Sequence, residues 1–197
     1  MSYSVSGGSD SCYEGTRVLI NKLGIRDEDE LMEVETVITA AKITMLLETP
    51  YTGPFTAEHY RDLHRAIMGD LYDWAGEIRR VPLSKKGTAF HSPANLERDT
   101  GLLFERLERE RCFLDLDGEE YTRSIAEFYS DLNLLHPFRE GNGRTQRVLI
   151  TQLIERSGRS IDFSRCDKDF LMIATVYAAQ GILDHLVEFF RSELERK

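Results

Sequence analysis

Cysteine is scarce in this sequence, with three residues among 197: Cys12, Cys112 and Cys166. They lie far apart along the chain and form no CxxC pair. A disulfide framework uses an even and denser set of cysteines, and a four-ligand zinc site uses closely spaced pairs. The cysteine pattern therefore argues against both a disulfide framework and a four-ligand zinc site.

Long apolar runs are also missing. The N-terminal segment MSYSVSGGSDS is small and polar, without the apolar stretch of a secretory signal. The longest apolar stretch, Thr36 to Leu47, is interrupted by Lys42 and is too short to cross a bilayer. We therefore expect a cytoplasmic protein with no membrane partner, in which residues 1–12 form a mobile tail.

Positive charge is in deficit, since 25 Lys and Arg residues stand against 34 Asp and Glu residues, a net charge of −9. Nucleic-acid binding draws on Lys and Arg to neutralise phosphates. The charge balance therefore argues against direct nucleic-acid binding as the main function. Hydrophobic residues make up 41% of the chain, which is enough for a folded core, and the length is typical of one domain.

Hydrophobic residues recur at helical intervals through residues 13–197, which predicts a single all-α domain of seven or eight helices. Asp27 and Thr56 are suited to cap the first turns of two helices, and Ser92-Pro93 to start another. The clearest helical stripe is Tyr121, Ile125, Phe128, Leu132 and Leu135. The helix from Asp27 is stopped by Pro50 and carries an apolar stripe of Leu31, Val34, Ile38, Ala41 and Met45. Other helices are predicted at Thr16–Leu23, at 148–158, near 168–179 and near 183–195.

One segment breaks this helical pattern. Residues 78–91 contain two extended arms around Ser84-Lys85-Lys86-Gly87, where the glycine suits a turn position with positive φ. The pattern predicts one short β-hairpin in an otherwise helical protein.

A tight turn is predicted between the two most strongly patterned helices, in the segment HPFREGNGRTQR at 136–147. Pro137 disfavours helical structure at His136, and Gly141 and Gly143 let the backbone fold sharply. Backbone N–H groups of such a turn, when it opens onto the start of a helix, bind anions. The segment therefore predicts an anion site.

Charged side chains surround the same turn. Arg144 and Arg147 are three helical positions apart and share a face, and two guanidiniums beside an amide turn indicate a polyphosphate ligand. The carboxylate of Glu140 suits a phosphate site only with a cation between them, and Mg²⁺ is the cation that binds in this way. His136 is the one side chain here that titrates near neutral pH, which makes it a candidate general base.

The segment resembles the signature of Fic-domain proteins, HxFx(D/E)GNGRxxR, and matches it at every specified position. Further similarity extends over residues 13–190, including LYDWAG at 71–76, the hairpin with Phe90, and GILDHL at 181–186. The resemblance implies a helical Fic fold with a hairpin flap. It also implies a protein adenylyltransferase, which transfers AMP from ATP to a hydroxyl side chain of a target protein.

The resemblance also implies a role for each matching residue. His136 would deprotonate the target hydroxyl, and Glu140 would hold Mg²⁺ between the α- and β-phosphates of ATP. The phosphate-binding residues would be Gly141, Asn142, Gly143, Arg144 and Arg147, together with Lys86 and Gly87 of the flap. The target-docking flap itself would consist of Ser84, Lys85, Lys86, Gly87 and Thr88.

Three alternatives stay open on the sequence. Doc-like relatives act as protein kinases and carry Lys at the position of Gly143, so the glycine favours AMP transfer. Recognition of the base lies outside the signature, which leaves transfer of another nucleotide open. A nucleotide-binding regulatory module without transferase activity is the third alternative.

Partners follow from the similarity to small bacterial Fic toxins, some of which modify type II topoisomerase subunits, and such a subunit is one candidate target. Many family members are inhibited by a helix with the motif (S/T)xxxE(G/N), whose Glu pairs with the second signature arginine. The strict motif is absent here, because Thr44–Glu48 and Thr151–Glu155 are followed by Thr49 and Arg156. We therefore expect a small antitoxin protein to supply an inhibitory Glu to Arg147.

Overall fold

The computed structural model describes residues 4–5, 11–85 and 88–196. Within these ranges the chain forms seven α-helices: α1 Glu28–Leu47, α2 Ala57–Met68, α3 Leu96–Arg109, α4 Gly118–Leu135, α5 Asn142–Arg156, α6 Lys168–Ala179 and α7 Asp184–Glu193. Two 3-10 turns, Pro93–Asn95 and Arg111–Phe113, flank α3. The all-α class is confirmed.

Helix starts follow the capping residues that the sequence indicates. The Asp27 carboxylate accepts hydrogen bonds from the backbone N–H groups of Asp29 and Glu30, at 3.1 and 2.9 Å. The Thr56 hydroxyl accepts one from His59 N–H at 3.1 Å. Ser92-Pro93 begins a 3-10 turn, and the α-helix predicted there starts three residues later, at Leu96.

Strand structure is slightly more extensive than predicted. The hairpin pairs β2 Leu83–Lys85 with β3 Thr88–Ala89, and its turn residues Lys86 and Gly87 lie outside the described part of the chain. β1, Ser4–Val5, pairs antiparallel with the other edge of β2, so two residues of the segment predicted to be a mobile tail form a strand. β4 Arg159–Ser160 pairs with β5 Glu195–Arg196. Strands of two residues are too short to leave an alternating pattern in a sequence.

The helix predicted at Thr16–Leu23 is wrong. This segment is irregular, with a bridge between Cys12 and Leu19. The Asn21 amide closes it by donating to the carbonyls of Leu19 and Ile25, at 3.0 and 2.7 Å, and by accepting from Ile25 N–H. A polar side chain that binds the local backbone in this way competes with helical hydrogen bonding.

The first helix is less buried than its stripe predicts. Leu31 and Thr39 are its buried residues, whereas Ala41 is exposed and Met45 is 66% exposed. Val37, on the same helix, is 70% exposed. α1 therefore lies at the periphery with apolar side chains facing outward.

The core is built around α5, which packs against α2 and α4. Val148, Leu149, Ile150, Leu153 and Ile154 are all at most 1% exposed. The stripe predicted for α4 is buried as well. Because these side chains of α5 are buried in the core, the helix is held in place, and so is the loop at its N-terminus. No helix in the described ranges is both long and apolar enough to cross a membrane.

Candidate active site

The loop between α4 and α5 begins with an unusual backbone conformation at His136. This residue caps α4 with φ 45° and ψ 58°, and its N–H donates to the Leu132 carbonyl at 3.1 Å. Positive φ is uncommon for a residue with a side chain and turns the chain sharply out of the helix. His136 is thereby placed at the end of α4, where 5% of its surface remains exposed.

The contacts of the His136 ring assign its tautomer. Nδ1 lies 3.1 Å from the carbonyl oxygen of Asn133. A carbonyl only accepts hydrogen bonds, so Nδ1 carries the proton and Nε2 is the nitrogen with a lone pair. The ring stacks on Phe90 with centroids 3.8 Å apart and planes 9° apart, which fixes its orientation. This histidine can take up a proton through Nε2.

The turn that follows requires glycine at Gly141. Its φ is +78°, and a Cβ atom there would lie 2.9 Å from the Met68 sulfur. The residue caps the start of α5, and its carbonyl accepts the first helical bond from Thr145 N–H at 3.0 Å. The N–H groups of residues 142–144 are in the first turn, where a helix has no internal acceptors for them. Such a terminus is suited to an anion.

Asn142 holds the loop together by its side chain. It is 2% exposed, its oxygen accepts from Phe138 N–H at 2.8 Å, and its amide donates to the Phe138 carbonyl at 2.7 Å. Both ends of the amide are thus used within the protein. Any contribution of Asn142 to anion binding comes from its backbone N–H.

The two signature arginines have different surroundings. Arg144 pairs with Glu35 of α1 and donates to the Thr39 hydroxyl at 3.2 Å, and Glu140 is 3.6 Å from its guanidinium. Tyr72 donates to the same Glu35 carboxylate at 2.5 Å. Burial and the negative charge of Glu35 both raise the pKa of Tyr72. α1 is therefore tied to α5 through the Glu35 carboxylate.

Arg147 lies over the turn itself. A Cβ on Gly143 would be 3.3 Å from Arg147 Nη1, so the missing side chain leaves room for the guanidinium. Burial raises the pKa of the Tyr129 hydroxyl, and the positive charge of Arg147 partly opposes this increase. Among the residues that the structure describes, no carboxylate lies within 4.0 Å of the Arg147 guanidinium.

Glu140 is the one signature carboxylate. Its side chain is 25% exposed, and Oε1 accepts from Gly141 N–H at 2.9 Å. In the described ranges, no group of three or more His, Cys, Asp or Glu residues is arranged to hold a metal. One oriented carboxylate fits a Mg²⁺ ion that takes its other ligands from phosphate oxygens and water, which is how Mg²⁺ usually binds with nucleotides.

One cleft of about 1010 Å³ brings together part of this site, and Glu140, Gly141 and Asn142 are not among the residues that line it. His136, Gly143, Arg144 and Arg147 all line it, and Phe90 of the hairpin closes one side. Further walls come from α1, from α6 and from residues 161–166, and the apolar lining of the two helices includes Ile43, Leu47, Leu171, Met172 and Val176. The volume is at the upper end for small-molecule pockets. Of the predicted flap residues, Ser84, Lys85 and Thr88 are in β2 and β3, whereas Lys86 and Gly87 lie outside the described residues.

His64 of α2 packs against the loop between α4 and α5. It is fully buried and stacks on Phe138, with centroids 3.8 Å apart. Its Nδ1 accepts from Gly76 N–H at 2.7 Å, so Nε2 carries the proton and donates to the Glu140 carbonyl at 2.9 Å. Burial lowers the pKa of His64 to about 4, which keeps the ring neutral near pH 7.

Arg79 connects the loop to the hairpin. It is 4% exposed, and its guanidinium donates to the carbonyls of His136, Val81 and His91, each at 2.7 Å. Burial lowers its pKa to about 10, so the side chain is still charged at neutral pH. In the sequence Arg79 stands beside exposed Arg80, and nothing in that pair indicates which arginine is buried.

These features combine, in a helical protein, a helix N-terminus suited to an anion with a histidine and two arginines that line one cleft. The Fic/DOC family model matches residues 54–154, and the chain belongs to that family. The family predicted from the signature is confirmed.

Other members of this family are similar to the chain over most of its length, in sequence or in structure. Protein adenylyltransferase VbhT of Bartonella schoenbuchensis is 33% identical over 91% of this chain, which spans 37% of that protein's length. The protein named "Probable protein adenylyltransferase y4lH" of Sinorhizobium fredii is 34% identical, with 91% of this chain and 93% of that protein covered. The ADP-bound N-terminal Fic domain of a Bep effector from Bartonella quintana superposes with a TM-score of 0.88, at 27% identity and 95% coverage of both chains.

Proposed function

We propose that this chain is a protein adenylyltransferase, which moves AMP from ATP to a hydroxyl side chain of another protein and releases pyrophosphate. The observation that carries the proposal is one cleft lined by His136, Arg144 and Arg147 at the start of α5. The names of the relatives VbhT and y4lH, and the ADP in the Bartonella quintana domain, support it.

The groups of the cleft have distinct parts in this reaction. His136 Nε2 accepts the proton of the target hydroxyl as its oxygen attacks the α-phosphorus of ATP. A new O–P bond forms, the bond between the α-phosphorus and the bridging oxygen breaks, and pyrophosphate leaves. The first-turn N–H groups of α5 and the two arginines bind the phosphate oxygens and stabilise the added charge.

Mg²⁺ is proposed as the cation of this site, with Glu140 as its protein ligand. Glu140 Oε1 is oriented by Gly141 N–H, in the residue that precedes the first turn of α5. The ion would supply neutralisation of the phosphate charge. ATP is the co-substrate in this proposal.

The hairpin Ser84–Thr88 is proposed to position the target segment by strand addition. In the described sheet the strand order is β1-β2-β3, so the inner strand β2 is already paired on both sides. The edge of β3 is the one that leads to Phe90, whose ring stacks on His136. A target strand added at this edge would run close to the base. Lys86 and Gly87 stay predicted phosphate contacts.

An antitoxin-like partner is proposed for regulation. The described residues place no carboxylate beside the Arg147 guanidinium, whereas an inhibitory Glu would pair with it. The cleft continues along α1 past Thr44 and Glu48, and exposed Val37 and Met45 offer an apolar face to a partner helix. A toxin function, a type II topoisomerase subunit as target and a cytoplasmic location stay predictions.

The position of the radioactive label in ATP tests the proposal and its alternatives. The purified chain is incubated with a cell lysate and Mg²⁺, with ATP labelled at the α-phosphate in one reaction and at the γ-phosphate in another. Protein bands labelled from α-phosphate only, with mass spectrometry showing added AMP, are the expected result. Label from the γ-phosphate would indicate a kinase, and binding without label a regulatory module. Parallel reactions with the other labelled nucleoside triphosphates test which base the site accepts.

A further inference from the structure

The buried guanidinium of Arg79 is an unusual cation, because among the described residues all of its hydrogen-bond partners are backbone carbonyls. Nε donates to His136, Nη1 to Val81 and Nη2 to His91, each at 2.7 Å, with Leu135 at 3.4 Å from Nη2. A buried charge has to be compensated, and here the compensation is by carbonyl dipoles.

Two of these carbonyls belong to the end of α4. The last carbonyls of a helix have no partners within the helix and carry its partial negative charge. Arg79 binds Leu135 and His136 at this end, where a cation is favourable. The Arg79 backbone N–H adds a bond to the Pro137 carbonyl at 2.8 Å. One residue therefore holds three successive carbonyls of the catalytic loop.

The other two carbonyls flank the hairpin. Val81 precedes β2, and His91 follows β3 and Phe90. The His91 N–H binds the Leu134 carbonyl at 3.0 Å, and Phe90 N–H binds the Leu83 carbonyl at 3.2 Å. Both ends of the hairpin are thus attached to Arg79, and the hairpin is attached to the end of α4.

We infer that Arg79 is a positioning residue that couples the flap to His136, so that one guanidinium sets both the direction of the imidazole and the place of the target strand. The φ of +45° at His136 is unfavourable for a residue with a side chain, and the bond to its carbonyl helps to hold it. This inference rests on the proposed function for its catalytic meaning, but the coupling is measurable without catalysis.

Arg79→Lys is the informative variant, because it keeps the positive charge and removes the planar fork that reaches several carbonyls at once. Arg156→Lys is the matched control. Arg156 also donates to two carbonyls, of Tyr51 and Gly53, each at 2.8 Å, away from the flap. Both variants lose a guanidinium that binds carbonyls, but only Arg79→Lys loses the connection between the hairpin and the end of α4.

NMR of the histidine nitrogens and amide hydrogen exchange provide the first readout. In wild type and Arg156→Lys, we expect the His136 shifts of an Nδ1-protonated ring and slow exchange at Phe90 and His91 N–H. In Arg79→Lys, we expect mixed tautomers and faster exchange at both amides. Wild-type-like spectra of Arg79→Lys would overturn the inference, whether or not the chain transfers AMP.

Steady-state kinetics with labelled ATP and the modified lysate protein provide the second readout. We expect Arg79→Lys to lower turnover by up to about 100-fold, the cost of a misplaced reacting group. The KM for ATP should change less than about threefold, because the anion turn and arginines remain. Equal losses in turnover and ATP affinity would overturn the positioning role. Failure of the wild type to transfer AMP would count against the proposed function alone.

The wild-type chain offers a test that needs no variant to fold. If Arg79 couples the two parts, its Nε–H and the N–H groups of Phe90 and His91 exchange with one common opening free energy. Independent opening of the Arg79 proton and the flap amides would overturn the inference.

Discussion

Single residues in this site are fixed mainly by the backbone around them. His136 combines a left-handed conformation, a ring bond to Asn133 and a stack on Phe90, and each constrains a different degree of freedom. The ring has lost most of its rotamer freedom before any substrate binds. Such preorganisation lowers the barrier for a positioned proton acceptor.

The His136→Ala variant separates proton transfer from nucleotide binding. We expect AMP transfer to fall by about 10²–10⁴-fold, the usual contribution of a general base. Binding of Mg²⁺-ATP should persist, because the turn at Gly141 and the guanidiniums of Arg144 and Arg147 are unchanged. Transfer is measured with α-labelled ATP and binding by calorimetry. Transfer near the wild-type rate would remove His136 from the mechanism.

The candidate functional residues of the loop could be predicted because they lie close together in the sequence. His136, Glu140, Gly141 and Arg144 follow one another within nine residues, and their types suffice to indicate an anion turn with a base. Arg79 and Glu35 lie far away in sequence and reach the loop only through the tertiary fold. Their roles depend on long-range contacts, for which a single sequence carries no periodic signal.

At the scale of elements, α2 supports the loop through His64. The ring is neutral and buried, and it joins Gly76 N–H to the Glu140 carbonyl. Burial lowers its pKa to about 4, below the value of about 6.5 in an unfolded chain. The unfolded state therefore binds more protons between these pH values, and acid favours unfolding.

His64→Gln should remove this acid sensitivity in the protein without nucleotide. In wild type, the contribution of His64 to the free energy of unfolding should fall by roughly 3 kcal/mol as the pH drops from about 6.5 to about 4. In His64→Gln the decrease should be smaller by that amount, since glutamine offers a donor and an acceptor but no titration. Urea unfolding at each pH measures the free energy of unfolding. Exposed His185→Gln is the control and should retain the wild-type slope. Parallel slopes for His64→Gln and wild type would contradict the prediction.

The hairpin is the element most open to replacement. Exchanging Ser84–Thr88 for a flexible Gly-Ser linker of the same length removes the strand edge and leaves the anion turn. We expect target modification to be lost while ATP affinity is retained, as measured with labelled ATP and calorimetry. Equal loss of both would mean that the hairpin only supports the fold.

Helices and their first residues were predictable where a single local interaction determines them. The caps at Asp27 and Thr56 and the stripe of α4 appear as expected, because capping and amphipathic packing act over a few residues. At Thr16–Leu23 the Asn21 side chain binds the backbone, and irregular structure replaces helix. The apolar stripe of α1 is helical as predicted, but of its five residues Leu31 is buried while Ala41 and Met45 are exposed, because burial depends on neighbours that a local pattern does not contain.

On the scale of the whole molecule, α1 is attached to the core at one side and open at the other. Its inner side reaches Arg144 through Glu35, while Val37 and Met45 are 70% and 66% exposed. The cleft runs along this helix to Glu48, beyond the residues of the anion turn. Exposed apolar surface beside an open cleft is typical of a binding face.

The isolated chain tests whether inhibition comes from a separate protein. We expect the purified wild type to modify itself or lysate proteins with α-labelled ATP, because the described residues place no carboxylate against Arg147. A partner helix that presents a Glu to Arg147 should suppress this activity, since a charge-assisted pair would occupy the arginine that binds phosphate.

The internal alternative uses Glu48, which ends α1 and lines the same cleft. Glu48→Gly removes its carboxylate, and Glu110→Gly at the end of α3 is the matched control, since both are exposed C-caps and only Glu48 lines this cleft. We expect neither substitution to change the AMP incorporated by the isolated chain by more than about twofold. A silent wild type that becomes active with Glu48→Gly, but not with Glu110→Gly, would place the inhibitor within the chain. The exposed face of α1 would then need another explanation, because its C-terminal end would already serve as the regulator of Arg147.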